Sequence, residues 1–494
     1  MKKVLKFLII ITIVLIASCK NDEISSSKSS SDNQKINEII DRGNMSFNDF
    51  FLDKTMRLDY FHSGTSDEEH FARDQIVSDG AWGGSTATLI DELNLGPYCY
   101  KVIDRESGVL LYSKGFGSVF GEWQTIPEAS ENWGTFHESI RFPWPKKPVS
   151  VILMKRNPSN NFESVWTIDI DPSSRLVNPA DLVHTNKVDI IADNGPASKK
   201  VDLVILGDGY SKDEMEKFRN DAKRISGYLM GTEPFKSRSN DFNIRAIETP
   251  GETSGVNKPH PGIFRRTPLS VHYSSFDSER YALTYDNRTV RNIASQVPYD
   301  LMIIMMNERT YGGGGIYNLY STVAADNKFS EYITVHEMGH QIAALADEYY
   351  TSSVSYEMPE IKIEPWETNI TALLDRNNLK WKDLVDKDTP IPTPWNKEEF
   401  DSTGYAIQEE RDSLRAAKVP ESVLEELFDR QLKQEDEFFS KEKYKDKVGA
   451  FEGAGYLSRG LYRPQIDCIM YTRHMTFCKV CQRTIENVID QNVK

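Results

Sequence analysis

Basic residues are in short supply in this chain: 59 lysines and arginines stand against 74 aspartates and glutamates, a formal charge of -15 over 494 residues. No stretch gathers lysine or arginine densely enough to displace phosphate counterions, which excludes nucleic acid as a partner. Cysteine is equally sparse. Of five, Cys19 and Cys99 stand alone, while Cys468, Cys478 and Cys481 fall together near the C-terminus, so no disulfide framework runs along the chain. Long apolar runs are missing too, apart from residues 7–17, which are short for a bilayer span. With only nine histidines present, a pair at metal-ligand spacing carries weight. The length exceeds what one core serves, and about two or three domains are expected.

In "MKKVLKFLIIITIVLIASCK", Lys2, Lys3 and Lys6 precede the apolar run, and small residues lead to Cys19. This is the order of a bacterial export signal, and "IASC" looks like a lipoprotein processing site. The expectation is a signal peptide over residues 1–19 whose removal leaves Cys19 lipidated, with the acyl chains as the membrane anchor. An uncleaved signal anchor is the alternative. Residues 20–44 are polar and Ser-rich, the composition of a flexible tether. Asp22 and Glu23 just behind the cysteine resemble a surface-export signal, which points to a cell-envelope lipoprotein on the outer membrane, facing outward.

From residue 45 to 172 the pattern is that of strands. "TMRLDYF" alternates Met56, Leu58 and Tyr60 with Arg57 and Asp59, and "YCYKVIDRESGVLLYSKGF" reads as a hairpin turning at Ser107-Gly108. A β-sandwich is expected here. His62, His70 and His137 are scattered and read as core or surface residues. Near Val201 the pattern changes. "VDLVILGDGYSKDEMEKF" is a continuous apolar strand, a glycine turn and a helix opened by the capping pair Ser211 and Glu214, and "YDLMIIMMN" is a second buried strand. The fold class is therefore α+β and multidomain, with the sandwich followed by an α/β domain over residues 198–494. Asp208, at the end of its strand, reads as a turn former. The four glycines from Gly312 suit a tight turn feeding "IYNLYSTVAA", a strand to which an extended peptide could add. Residues 351–446 are charged and contain one clear amphipathic helix, "PESVLEELFDRQLKQEDEFF", and read as a helical insertion.

The chemistry is concentrated in "ITVHEMGHQIAALADEYY". His336 and His340 are one helical turn apart, so both imidazoles leave the same face and can reach one zinc ion at about 2.0–2.1 Å. Glu337 projects beside them, where a carboxylate can take a proton from the attacking water and pass it to the leaving amine. A third ligand is needed. On an unbroken helix Asp347 would lie about 10 Å along the axis from His340, so the helix must end near residues 344–346 if Asp347 is that ligand. Glu348 is the neighbouring alternative, and Glu452 in "GAFEGAGY" serves if the helix runs straight on.

"HEMGHQIAALADEYY" followed by "GAFEGAGYLSRGLYRPQIDCIMYTRHMTFCKVC" resembles the IgA-peptidase family of bacterial zinc metallopeptidases, from about Val201 to the C-terminus, and the β-rich front resembles that family's N-terminal domain. The resemblance implies a metzincin-like fold, in which a methionine turn lies beneath the metal; Met470 in "CIMY" matches it. It also implies His336 and His340 as ligands, Glu337 as general base and Asp347 as the third ligand, although relatives carry glycine near position 344, where this chain has alanine. Tyr349, Tyr350 and Tyr471 are candidate donors to the oxyanion. Arg463 reads as half of a salt bridge, with Glu452 or a substrate carboxylate as its partner. Cys468 paired with Cys478 or Cys481 is the first expectation for an exported protein; the alternative is a second, structural zinc held by Cys468, Cys478, Cys481 and His474.

Together these features predict a zinc-dependent endopeptidase acting on protein or peptide, host immunoglobulin and mucosal proteins included. Two other readings remain: an amidase or peptidase acting on cell-wall or glycan-linked peptides, and a non-catalytic adhesion or glycan-binding lipoprotein. The intact Glu337 argues against the last, because a retired site has no chemical need of it.

Overall fold

The computed structural model describes residues 46–351 and 362–493. The expected signal peptide, Cys19 and the tether lie outside these residues, as do residues 352–361 of the expected insertion. Among the described residues no helix is long and apolar enough to cross a membrane. The architecture is mixed α+β, rich in strands at the front.

Eight strands build the front: β1 (Phe51–Gly64), β2 (Glu69–Ser78), β3 (Tyr98–Asp104), β4 (Leu110–Phe116), β5 (Gly134–Pro145), β6 (Val149–Arg156), β7 (Phe162–Ile170) and the short β8 (Val177–Asn178). They form two sheets, ordered β5-β1-β2-β8 and β4-β3-β6-β7. Met56, Leu58 and Tyr60 of one sheet share a core with Tyr100, Val102, Val151 and Leu153 of the other, as alternating burial along paired strands requires. The opposite face of β1 is not solvated. Arg57 and Asp59 are fully buried, and Arg57 donates to Asp59 (2.8 Å), Asp79 (2.6 Å) and the distant Asn292 (2.8 Å). Arg141 on β5 likewise reaches the carbonyl of Tyr299 at 2.9 Å. The polar half of the alternating pattern is thus an interface with the C-terminal half.

That half is built on six strands, β9 (Val188–Ala192), β10 (Val201–Asp208), β11 (Phe242–Ile247), β12 (Leu301–Met306), β13 (Gly313–Ile316) and β14 (Tyr320–Ala324), ordered β13-β14-β12-β10-β11-β9. The four inner strands are parallel and the two edges antiparallel. Every residue of β10 is buried, which is why it reads as an uninterrupted apolar run. Six helices of eight or more residues complete the described chain: α1 (Met215–Gly231), α2 (Asn287–Ala294), α3 (Ser330–Ala343), α4 (Lys397–Ala416), α5 (Glu421–Ser440) and α6 (Lys479–Val493). The core containing Ile205 and Met305 takes in α1, α3 and α6, and the core containing Val204 and Ile304 takes in α2. Phe400 of α4 and Leu427, Phe428 and Phe439 of α5 pack into the first of these. The last two strands, β15 (Phe451–Ala454) and β16 (Leu457–Arg463), form an antiparallel pair.

The glycine run departs from expectation. Gly313, Gly314 and Gly315 are not a turn but the edge strand itself, paired with β14 from Val323 to Ser321. Their backbone is ordinary; what requires glycine is the closeness of α3. A Cβ on Gly315 would sit 2.3 Å from the carbonyl oxygen of Glu337, and one on Gly313 would sit 2.7 Å from Ile333, so any side chain would push the helix off the sheet. A second expectation also fails. β14 is paired on both sides, by β13 and β12, and cannot accept a peptide. The outer edge of β13 is itself occupied at Gly313, which exchanges hydrogen bonds with Arg280 and Ala282 at 3.2 and 3.3 Å.

Candidate metal centre

α3 is buried on nearly all sides, and His336 and His340 leave it toward one point. Each imidazole is fixed through its Nδ1: His336 against the carbonyl of Ile469 at 2.9 Å and His340 against that of Leu345 at 2.6 Å. Carbonyl partners at Nδ1 leave each Nε2 as a bare lone pair, the tautomer that binds metals. The two Nε2 atoms are 3.1 Å apart, and Oδ1 of Asp347 lies 3.1 Å from one and 3.3 Å from the other. Ligand atoms about 2.0–2.1 Å from a tetrahedral zinc stand roughly 3.3 Å from each other, so the triangle has the right size. Oδ1 of Asp347 is buried and has no hydrogen-bond donor among the described residues, as expected of a ligand atom. The residues present fit a zinc ion.

Asp347 arrives because the helix stops. α3 ends at Ala343, and Ala344 turns into the left-handed region at φ 48°, ψ 36°. The reversal is held by the N–H of Ala344 on the carbonyl of His340 at 3.0 Å and that of Leu345 on Gly339 at 3.4 Å. Left-handed backbone is strained for any residue with a Cβ by about 1–2 kcal/mol. Ala344→Gly should therefore stabilise the fold by about 0.5–1 kcal/mol once the entropy of the unfolded glycine is subtracted. Chemical denaturation checks this, and an unchanged or lowered midpoint would mean that Ala344 carries no strain.

Around the triangle stand groups of two origins. Glu337 is half-buried beside the histidines, and its carboxylate has no hydrogen-bond partner among the described residues. Burial pushes that carboxyl up, and the imidazoles and Arg280 pull it back. Tyr456 donates its hydroxyl to Oδ2 of Asp347 and so orients the third corner. Arg280 donates to the hydroxyl of Tyr349 at 3.1 Å, and the Tyr349 ring lies 6.3 Å from that of His336. From the front half comes Glu122, in the short helix Val119–Trp123. Tyr281 donates to it; burial raises its carboxyl to about 7, with Tyr281 and His340 opposing that rise. Arg280 also lines an open cleft of about 1270 Å³ whose walls include Trp123 and Phe136 of the front half, Phe276, and Arg411 and Arg415 of α4. Arg280, Tyr456 and Glu122 have no marker in the sequence. Tyr456 alone falls inside a stretch singled out there, "GAFEGAGY".

The other singled-out residues lie elsewhere. Glu452 sits on β15, accepts the N–H of Gly460 at 3.2 Å and is not among the converging groups. Glu348 turns to the opposite side from Asp347, toward the cysteines. Arg463 forms no ion pair with Glu452. Its buried guanidinium donates to the carbonyls of Gly453 (2.8 Å) and Ile466 (3.0 Å) and lies on the ring of Tyr471, 3.7 Å from its centroid; backbone carbonyls satisfy it without a carboxylate. Tyr471 and Tyr350 stack on one another in the core, which leaves Tyr349 as the member of that trio at the site. Met470 lies under α3: a Cβ on Gly339 would be 3.0 Å from its sulfur. Asp208 is buried and accepts from Thr267 (2.7 Å) and the N–H groups of Leu269 (3.0 Å) and Val271 (2.9 Å), so it ties down a loop. His474 pairs with Asp467 at 2.7 Å and is not among the groups that meet the three cysteines.

No curated protein matches the chain. Two family models do: residues 46–167 match the Peptidase M64 N-terminus, and residues 190–489, which contain the histidine–aspartate triangle and Glu337, match IgA Peptidase M64. With the larger of these covering more than half of its length, the chain belongs to the IgA peptidase M64 family of zinc metallopeptidases.

Proposed function

We propose that the chain is a zinc-dependent endopeptidase that hydrolyses protein substrates at the bacterial cell envelope, with Glu337 activating the attacking water. One observation carries this reading: His336, His340 and Asp347 converge on a single point, with Glu337 beside it and Arg280 linking it to an open cleft. A zinc ion held by these three would polarise the scissile carbonyl and make water more acidic.

The protein groups account for the rest. Three protein ligands leave a fourth position free for chemistry. Glu337 takes the proton of the attacking water on a carboxylate oxygen and delivers it to the nitrogen of the leaving amine; the burial that raises its proton affinity suits both transfers. Tyr349, its oxygen held by Arg280, is the tyrosine positioned to donate to the carbonyl oxygen as negative charge develops there. Met470 beneath Gly339 supports a metzincin-like arrangement of the catalytic half. The substrate chain would run in the cleft between the front half and α4, with the helical insertion at residues 351–446 as one wall. Lipid on Cys19 would hold the enzyme on the outer membrane, facing outward, where host immunoglobulin and mucosal proteins are among the accessible substrates.

The test is incubation of the full chain with intact proteins, immunoglobulin A and casein among them, and separately with cell-wall muropeptides. Internal cleavage of protein, abolished by a zinc chelator and restored by added zinc, is the expected result. Cleavage confined to muropeptides would move the substrate to the cell wall. Binding without hydrolysis by the zinc-loaded chain would replace the enzyme by an adhesion protein.

A further inference from the structure

We propose that Cys468, Cys478, Cys481 and Glu348 form a second zinc site, structural in role and distinct from the histidine–aspartate triangle. One ligand atom from each of the four lies within 4.8 Å of all the others, and all four residues are buried. The sequence expectation of a disulfide does not match this arrangement. The three cysteines are free thiols, and the sulfurs of Cys468 and Cys481 are 3.8 Å apart, well beyond an S–S bond of about 2.05 Å. One disulfide among three cysteines would also leave the third thiol facing a buried carboxylate. The expectation of His474 as fourth ligand is corrected as well: Glu348 takes that place.

Glu348 supplies the second, independent observation. It is 0% exposed, and Oε1 accepts from Asn369 at 2.9 Å and from the thiol of Cys481 at 3.5 Å. Oε2 is buried without any hydrogen-bond partner among the described residues. Burial pushes the Glu348 carboxyl well up, so its ionised form is costly there unless a cation answers it. The nearby guanidinium of Arg463 is fully engaged with backbone carbonyls. Three thiolates and one carboxylate oxygen, all from buried residues, match the donor set and coordination number of structural zinc. The thiolates have backbone support: the N–H of Cys478 points at the sulfur of Cys468 (3.2 Å) and that of Cys481 at the sulfur of Cys478 (3.5 Å), where α6 begins.

The position of the site gives it a purpose. Glu348 follows Asp347 directly, and its N–H donates to the carbonyl of Met470 at 2.8 Å. Cys468 opens the turn whose next residue, Ile469, orients His336. A metal joining Glu348 to Cys468 would therefore clamp together the segment after α3 that presents Asp347 and the turn that aims His336. The catalytic geometry would rest on the second ion without that ion touching substrate.

The experiment is elemental analysis and zinc X-ray absorption on the full chain, purified without chelator. The expected result is two zinc ions per wild-type chain with sulfur among their neighbours at about 2.3 Å. In the His336→Ala/His340→Ala variant one ion should remain, with three sulfurs around it. Glu348→Cys in that background should raise the sulfur count from three to four; a count that stays at three would remove Glu348 from the shell. Zinc without sulfur neighbours in the wild type, or a disulfide between Cys468 and either partner in the unreduced chain, would overturn the proposal. The wild-type spectrum alone decides this if the variants fail to fold. The outcome is also separable from the peptidase reading: a chain whose only zinc is sulfur-bound would support the structural site and sink the catalytic one.

Discussion

Glu337→Ala is expected to lower kcat by about two to four orders of magnitude, the contribution typical of a positioned general base, while zinc content and thermal unfolding stay unchanged. Size and charge can be separated with Glu337→Gln, which keeps the shape against the edge strand and should be nearly as damaged. The reasoning is geometric. The carboxylate is next to the two histidines, half-buried, and without a hydrogen-bond partner among the described residues. Gly313 and Gly315 let α3 approach the sheet so closely that Glu337 has little freedom to retreat. Hydrolysis surviving within tenfold of the wild type would mean that another group serves as base, and Glu122 would then be the first carboxylate to test.

Asp347→Ala is expected to remove the catalytic ion and with it all detectable hydrolysis. Two imidazoles remain in that variant, and two neutral nitrogen ligands cannot replace the closed three-ligand set with its one negative charge. Zinc per chain should fall by one. Tyr456→Phe keeps the ligand and removes only the hydroxyl that orients it, so a loss of about 10–100-fold in zinc affinity is expected. Glu452→Ala should leave both affinity and activity untouched. An Asp347→Ala chain with its full zinc content, or a Glu452→Ala chain that loses an ion, would show that the third ligand has been misassigned.

How far the site can be read from sequence follows from how local each part is. His336, Glu337 and His340 are legible because one turn of helix places them. The third corner is not, because Asp347 and Glu348 are neighbours in sequence and their separation depends on where α3 stops. That stop rests on Ala344 in a conformation which alanine disfavours, so the sequence carries no signal for it. The buried strand β10 is legible as an apolar run, and the alternation of β1 is legible as a strand. The burial of Arg57 and Asp59 is not, since it depends on the docking of one half on the other. The glycine run misleads for the same reason: its glycines answer the closeness of a helix, not the geometry of a turn. Glu122 and Arg280 meet at the site from positions far apart in the chain, and nothing near either residue announces it.

The contribution of the front half has a consequence for how such an enzyme can diversify. Glu122 is held by Tyr281, the N–H of Gly117 is bonded to the carbonyl of Tyr317 at 2.8 Å, and Trp123 forms part of the cleft. One wall of the proposed substrate cleft and the metal-binding residues thus belong to separate stretches of the gene. If substrate runs in that cleft as proposed, mutation in the first would change which substrates are accepted while the chemistry in the second is left alone. A catalytic half expressed by itself would be a different enzyme rather than a smaller one, because its cleft would have lost a side.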